Sequence, residues 1–277
     1  MMPAIFERFK KMPVRVDDEF CSNWIGAVTA RRFFDQQNRD ECCPLFNSVA
    51  LENIAAGGVL PNEELPEWID VLESCEAARG LFCMIEVGAG WGRWLVHAEM
   101  ALRQCHPSIM RCLVGVEPEP GHFGFMAEHL SRNGIAESNR MLIEAALCGY
   151  DGNVNFSQGN PGGWYGQSLG GGSIVDALRL DTLLARLPLV DLLDMDVQGA
   201  EAVVLSESAY ALDSRIKRVH IGTHSPSIEA QLRDLFRELE WEPVHDYAMG
   251  GLRQTDWGQI GFEDGCQGWK NRRVLGP

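Results

Sequence analysis

The sequence predicts an α/β fold, in which a doubly wound, mainly parallel sheet carries helices on both faces and follows a helical N-terminal extension. From residue 81 onward, short apolar runs alternate with stretches of helical character, which is the pattern of a parallel sheet. The unusual polar residues stand at the ends of the apolar runs, where doubly wound sheets bind their ligands. We therefore divide the chain into an extension over 1–80 and an α/β domain over 81–277.

The predicted elements follow in order along the chain. Strands are expected over 82–87, 111–116, 140–144, 154–157, 189–196 and 218–222. Helices are expected over 92–104, 121–132, from residue 200 and over 227–239, and in the extension near 23–37 and 64–79. Pro226 directly after Ser225 is a typical helix start. The segments 243–249 and 259–262 are expected to form a hairpin-like pair that closes one edge of the sheet.

Composition limits the partners of this chain. A formal charge of −15 and a pI near 4.9 argue against nucleic acid or an anionic membrane, because a phosphate surface requires a basic face. Residues 1–11 are followed by no apolar segment, and no later stretch approaches the length of a membrane span. We expect a cytoplasmic protein with a small-molecule partner. The extension could cap the sheet, cover the substrate or form a homo-oligomer contact.

The nine cysteines show neither C-x-x-C nor a paired zinc spacing. An odd number spread along a chain without a secretory segment indicates reduced thiols, most of them buried. The cysteines are therefore not predicted to bind a metal or to form a set of disulfides.

The segment 81–94 is the most informative stretch of the chain. Its apolar run ends in glycines at Gly88, Gly90 and Gly92, a spacing that lets a strand turn tightly under a ligand. A dinucleotide site requires G-x-G-x-x-G, but the sixth position here is Arg93. Glu86, two residues before the first glycine, would repel a pyrophosphate and favours a ligand that carries positive charge.

The next predicted strand ends in Glu117, followed by Pro118. A carboxylate at that point can accept hydrogen bonds from both hydroxyls of a ribose. Pro118 would then lie against the face of an adenine. Together with the glycine segment, this predicts a nucleoside ligand with a cationic group.

These motifs resemble those of known enzymes. Residues 85–92 and 115–120 resemble the first two motifs of class I S-adenosylmethionine-dependent methyltransferases, which have a Rossmann-like fold. Three further stretches resemble the FkbM family in particular: Glu117-Pro118-Glu119-Pro120 with Asn133-Gly134, then 145–152, and then Leu180-Asp181-Thr182-Leu183 leading to 191–201. The resemblance covers about residues 80–250 and implies O-methylation of a sugar or secondary metabolite.

The resemblance also implies roles for individual residues. The methionine part of S-adenosylmethionine would be surrounded by Glu86 and the loop Gly88, Ala89, Gly90, Trp91 and Gly92. Its ribose would bind Glu117, and its adenine would lie against Pro118, Ala145 and Ala146. Asp194 and Asp196 would face the methyl group that is transferred.

Methyl transfer requires an aligned acceptor and a group that takes its proton. Asp194 and Asp196 alternate on one strand and are expected to share a face, and His224 follows the next strand. Asp196 and His224 are the predicted catalytic residues, as base or as orienting groups. No metal site is predicted outright, although Asp194, Asp196 and His224 together could hold a divalent ion.

The glycine-rich loop 158–173 carries Trp164, Tyr165 and Gln167. Because long loops in compact domains are commonly functional and aromatic rings are costly in water, we predict a lid that contacts the substrate. Two other functions remain open at this stage. An NAD-dependent oxidoreductase would share the fold and Glu117, and a non-catalytic binding module would keep the cofactor motifs without a base.

Overall fold

The computed structural model describes residues 3–34, 63–157 and 167–275, and the fold below concerns those residues. The strands are β1 (Arg15–Val16), β2 (Phe20–Ser22), β3 (Val28–Ala30), β4 (Leu81–Val87), β5 (Met110–Val116), β6 (Arg140–Ile143), β7 (Ala146–Cys148), β8 (Gly152–Phe156), β9 (Ser173–Arg179), β10 (Leu192–Met195), β11 (Arg218–Thr223), β12 (Glu242–Tyr247), β13 (Gly251–Thr255), β14 (Gly258–Phe262) and β15 (Gly265–Lys270). The α-helices are α1 (Leu65–Ala77), α2 (Arg93–Cys105), α3 (Pro120–Arg132), α4 (Leu180–Leu184), α5 (Glu201–Glu207), α6 (Ala209–Arg215), α7 (Pro226–Glu238) and α8 (Arg272–Leu275).

A seven-stranded sheet forms the centre of the fold, in the order β12-β15-β11-β10-β4-β5-β6. The pairs β4–β5, β5–β6, β4–β10 and β10–β11 are parallel, whereas β15 runs antiparallel to both of its neighbours. The chain winds from β4 outward to β6 and then returns to β10 on the other side of β4. This confirms the predicted doubly wound sheet and puts the reversal of winding between β4 and β10, where ligands are expected.

Two apolar layers cover the sheet. On one face, α1 and α2 bury Leu72, Leu95 and Leu102 against β4 and β5. On the other face, α4 to α7 bury a second set that includes Leu205 and Leu232. Each fully buried leucine contributes about 1.5–3 kcal/mol, so these layers supply most of the stability that fixes the strand ends.

Two of the predicted helices begin directly after a side chain that accepts a hydrogen bond from the first turn. In α7, the Ser225 side chain accepts a hydrogen bond from the Ile228 N–H (3.2 Å), with Pro226 in the first turn, as predicted. In α3, the Glu119 carboxylate plays the same part by accepting from the His122 N–H at 2.7 Å.

The predicted pairing at the end of the chain is wrong. β12 pairs with β15, and β14 pairs with β13 in a separate hairpin. β15 was not predicted, because its glycines and Gln267 interrupt the apolar pattern of a buried strand. Inside the fold, the Gln267 side chain donates to the Glu229 carbonyl (3.0 Å), so this polar residue is satisfied between two strands.

The N-terminal segment is helical only in part. The helix expected near 64–79 is confirmed as α1, but that expected near 23–37 is wrong over the described residues. There, β2 pairs with β3, and a short 3-10 helix follows at Arg31–Phe33. The Asn133 side chain fixes β3 by exchanging two 2.8 Å hydrogen bonds with the Val28 backbone. Contact with α3 therefore outweighs the local helical preference.

Two further observations concern the described residues alone. None of their helices is long and apolar enough to cross a lipid bilayer. Their seven cysteines are free thiols, five of them buried.

Candidate active site

A cavity of about 720 Å³ opens at the carboxyl ends of β4, β5, β10 and β11. It brings together most of the residues predicted from the sequence. Its wall includes Glu86, Gly88, Ala89, Gly90, Trp91, Glu117, Pro118, Ala145, Ala146, Gln167, Asp194 and Asp196. The site therefore lies at the predicted reversal of winding.

Gly88 lies where two strands come close together at the floor of the cavity. Its φ is +70°, and a Cβ at this position would lie 1.7 Å from the Asp196 carbonyl oxygen. Only glycine fits such a contact with backbone. The first glycine of the motif thus lets the loop after β4 pack directly against the loop after β10.

Gly92 has a different role from the one predicted. It is the residue before α2, with a φ of +68°, and it does not line the cavity. A Cβ there would come within 3 Å of Leu130 and Met126 on α3. The third glycine therefore serves the packing of α2 against α3, whereas Gly88 and Gly90 line the cavity.

Glu86 is 4% exposed at the end of β4, and it caps the following helix. Its two carboxylate oxygens accept from the Leu95 N–H (2.9 Å) and the Trp94 N–H (3.3 Å) in the first turn of α2. Burial, with neighbouring Asp194, raises the pKa of Glu86 well above its usual value. Each oxygen retains a lone pair for a ligand in the cavity.

Glu117 is held in a similar way at the end of β5. Its oxygens accept from the Gly90 N–H (2.7 Å) and the Glu119 N–H (2.8 Å). Burial raises the pKa of this carboxyl to about 7. The bond to Gly90 fixes the carboxylate beside the glycine loop, and its remaining lone pairs suit the hydroxyls of a ribose.

Ala145, Ala146 and Gln167 also line the cavity. Gln167 stands at the base of the β8–β9 connection, where the Ser157 N–H donates to the Ser168 carbonyl (2.9 Å). Trp164 and Tyr165 lie outside the described residues, so their role as a lid stays a prediction.

Asp196, His224 and Glu201 form a chain of hydrogen-bonding groups beside the cavity. Glu201, fully buried, accepts from His224 Nδ1 (2.8 Å), and His224 Nε2 lies 3.2 Å from Asp196 Oδ1. Burial opposes a charge on His224, but the ion pair with Asp196 and the hydrogen bond to Glu201 outweigh it and raise the pKa of the imidazole to about 10. Asp196 lines the cavity, whereas His224 lies behind it.

Asp194 belongs to another group. It stands beside His220 in the β10–β11 register, and Glu67 reaches both of them from α1. The three candidate metal ligands Asp194, Asp196 and His224 therefore do not form one donor set. They are divided between the group of Glu67, Asp194 and His220 and the group of Asp196, Glu201 and His224.

Several residues of the site were not anticipated. His220 is buried and also lines the cavity, and it bonds Asp70 through Nδ1 (2.8 Å). Arg93 lines the cavity and forms two hydrogen bonds to Glu64 at 2.5 and 2.6 Å. The sequence offered a signal for Arg93, which directly follows the glycine motif, and for Glu201, which is the last residue of the motif 191–201. Glu64 and Glu67 had no local signal.

Comparisons with known proteins show the family of this chain. A family model described as the methyltransferase FkbM domain matches residues 86–248. A protein described as a putative methyltransferase from Jannaschia sp. (strain CCS1) is 26% identical over 211 residues, 69% of this chain and 75% of the relative.

Solved methyltransferases have a similar chain trace. The FkbM methyltransferase from Methylobacillus flagellatus KT aligns with a TM-score of 0.48 at 14% identity, over 85% of this chain and 66% of that one. A precorrin-6y C5,15-methyltransferase from Geobacter metallireducens GS-15 aligns with a TM-score of 0.45 at 11% identity, over 77% and 91%. The family match covers more than half of the chain, and on that ground this protein belongs to the FkbM methyltransferase family.

Proposed function

We propose that this protein transfers a methyl group from S-adenosylmethionine to a hydroxyl of a sugar or secondary metabolite. The observation that supports this most directly is the continuity of the cavity. A single space holds both the glycine loop with Glu117 and the Asp196 carboxylate. A nucleoside cofactor and an acceptor can therefore meet in line, as displacement at a methyl carbon requires.

The residues present fit the cofactor. Glu117 is suited to the ribose hydroxyls, and the backbone of Ala145 and Ala146 to the adenine. Glu86, Asp194 and the loop from Gly88 to Trp91 line the cavity and are suited to the methionine part. When bound, S-adenosylmethionine supplies a methyl group already activated by its sulfonium.

Asp196 is the residue that we assign to the acceptor proton. Its side chain is 57% exposed on the cavity wall, where an acceptor hydroxyl can reach it. His224 in its protonated form holds one Asp196 oxygen, together with the Gln198 amide at 2.9 Å. Glu201 in turn orients His224. Asp196 is thus the catalytic residue of this proposal, and His224 and Glu201 are positioning residues.

A screen of hydroxyl-bearing metabolites with methyl-labelled S-adenosylmethionine tests the proposal. We expect a product heavier by one methyl group, with NMR showing the label on oxygen. Label on nitrogen or carbon would contradict O-methylation, while leaving the methyltransferase assignment in place.

A further inference from the structure

We infer that Cys112 and Cys83 form a thiol oxidation site, at which a peroxide oxidises Cys112 and Cys83 then closes a reversible disulfide. The two residues are free thiols that lie side by side on neighbouring parallel strands of the central sheet. Neither of them lines the cavity, so this inference is independent of the proposed function.

The register of the sheet brings the two thiols together. Cys83 on β4 is paired with Cys112 on β5, and the side chains of paired residues point to the same face of the sheet. Both residues belong to the apolar layer on the side of α4 to α7. Neighbouring strands lie about 4.8 Å apart, and a disulfide requires Cα atoms about 4.4–6.8 Å apart. A bridge therefore fits without a large movement of either strand.

The two cysteines differ in their access to solvent. Cys83 is fully buried on an inner strand, where its N–H donates to the Asp191 carboxylate at 2.8 Å. Cys112 is half-buried, and β6 pairs with β5 only from Leu113 onward, one residue beyond it. A dissolved oxidant therefore meets Cys112 first, and Cys83 lies next to it on the inner side.

The interaction between the two thiols favours the reactive form of Cys112. A hydrogen bond from Cys83 lowers the pKa of Cys112 to about 7, against the opposing effect of burial. The same interaction, together with burial, raises the pKa of Cys83, which keeps its proton. An accessible thiol of low pKa beside a second thiol is the arrangement found at reversible oxidation sites.

The reaction balances with hydrogen peroxide as the oxidant. The Cys112 thiolate attacks one peroxide oxygen, the O–O bond breaks, and the other oxygen takes up a proton and leaves as water. The product is a sulfenic acid on Cys112. The Cys83 sulfur then attacks the Cys112 sulfur, and the displaced hydroxide takes the Cys83 proton and leaves as a second water. Two thiols and one peroxide thus give one disulfide and two waters, and a dithiol reverses the change.

Cys105 is the matched control within the same chain. It is half-buried like Cys112, but burial raises its pKa, and its thiol lies 3.7 Å from the Cys75 carbonyl oxygen. With limiting iodoacetamide at pH 7, we expect Cys112 to be alkylated about fivefold faster than Cys105. The larger thiolate fraction of Cys112 outweighs the lower nucleophilicity of a thiol of low pKa. Peptide mass spectrometry measures both rates.

The direct test treats the reduced full chain with hydrogen peroxide in the presence of EDTA. Remaining thiols are blocked with iodoacetamide, and the peptides are mapped by mass spectrometry without reduction. We expect a peptide pair joined through Cys83 and Cys112, which dithiothreitol separates. Cys83→Ala should abolish this bridge and leave a sulfenic acid on Cys112 that dimedone labels. Cys105→Ala should leave the bridge unchanged.

Three results would overturn the inference: no bridge between Cys83 and Cys112 in the native chain, a bridge that forms only after unfolding in urea, or alkylation of Cys112 no faster than that of Cys105. The comparison of Cys112 with Cys105 uses the unsubstituted chain. It therefore decides the question even if Cys83→Ala fails to fold.

Discussion

The carboxylates on the two sides of the cavity differ in their hydrogen-bond partners. On the cofactor side, Glu86 and Glu117 each accept two backbone N–H bonds. On the acceptor side, Asp196 contacts two side chains, His224 through Nε2 (3.2 Å) and the Gln198 amide (2.9 Å), and its own side chain is 57% exposed. The carboxylates of the first side are fixed by backbone N–H groups, whereas the second side presents an exposed carboxylate to a ligand. Changes on the cofactor side should therefore affect folding and cofactor affinity, and changes on the acceptor side should affect turnover and acceptor choice.

The largest expected effect is that of Gly88→Ala. The added Cβ would meet the Asp196 carbonyl oxygen at 1.7 Å, at a φ that L residues rarely adopt. We expect loss of S-adenosylhomocysteine binding and a free energy of unfolding lower by about 3 kcal/mol, measured by calorimetry and urea unfolding. Gly124→Ala is the matched control, since that exposed glycine on α3 has open space around it. If Gly88→Ala binds S-adenosylhomocysteine with wild-type affinity, Gly88 does not lie this close to the Asp196 carbonyl oxygen.

Asp196→Asn tests the acceptor side. We expect turnover to fall by about 10²–10⁴-fold, because the variant loses the group that accepts the proton. The affinity for S-adenosylhomocysteine should stay within error, because the residues assigned to the cofactor are unchanged. Asp234→Asn, 73% exposed on α7, controls for the loss of one charge. Turnover at the wild-type rate would remove Asp196 from the mechanism.

Glu117 should make cofactor binding depend on pH. Ribose hydroxyls bond best to the ionised carboxylate, and the pKa of Glu117 is about 7 in the free protein. We therefore expect the Kd for S-adenosylhomocysteine to rise as pH falls below 7, by up to about tenfold per unit. Titrations at pH 6, 7 and 8 measure this, and Glu117→Gln should remove the dependence. A flat wild-type profile would argue against ribose binding by this residue.

A smaller effect is expected at His224. Its pKa of about 10 lies above the usual value, so the folded state binds this proton more tightly than the unfolded state. The resulting stabilisation is complete below about pH 6.5 and is lost as pH rises through 10. NMR titration should place the imidazole pKa near 10 and show a decrease in Asp196→Asn. If the pKa of His224 is unchanged in Asp196→Asn, Asp196 does not stabilise the protonated imidazole.

The two sides also differ in how far the sequence could predict them. The glycine loop, Glu117 and the strand-end position of Asp196 could be predicted, because short motifs at strand ends fix their neighbours within a few residues. Gly92 was predicted to contact the cofactor, although its spacing serves the packing of α2 on α3.

The rest of the cavity wall could not be predicted in the same way. Glu67 reaches Asp194 only through the packing of α1 on the sheet, a contact between residues more than a hundred positions apart. Asp264 is placed by β15, a strand whose glycines and Gln267 hide the usual apolar pattern. Neither contact leaves a local pattern in the sequence. His220 is buried and also lines the cavity, and its place in a strand does not reveal the second property.

We expect the cavity to bind S-adenosylmethionine rather than a dinucleotide. Calorimetric titration of the full chain with S-adenosylhomocysteine and with NAD distinguishes these two ligands. We expect one S-adenosylhomocysteine to bind per chain, in competition with S-adenosylmethionine, and NAD to give no response. Binding of NAD without any response to S-adenosylhomocysteine would rule out the S-adenosylmethionine site.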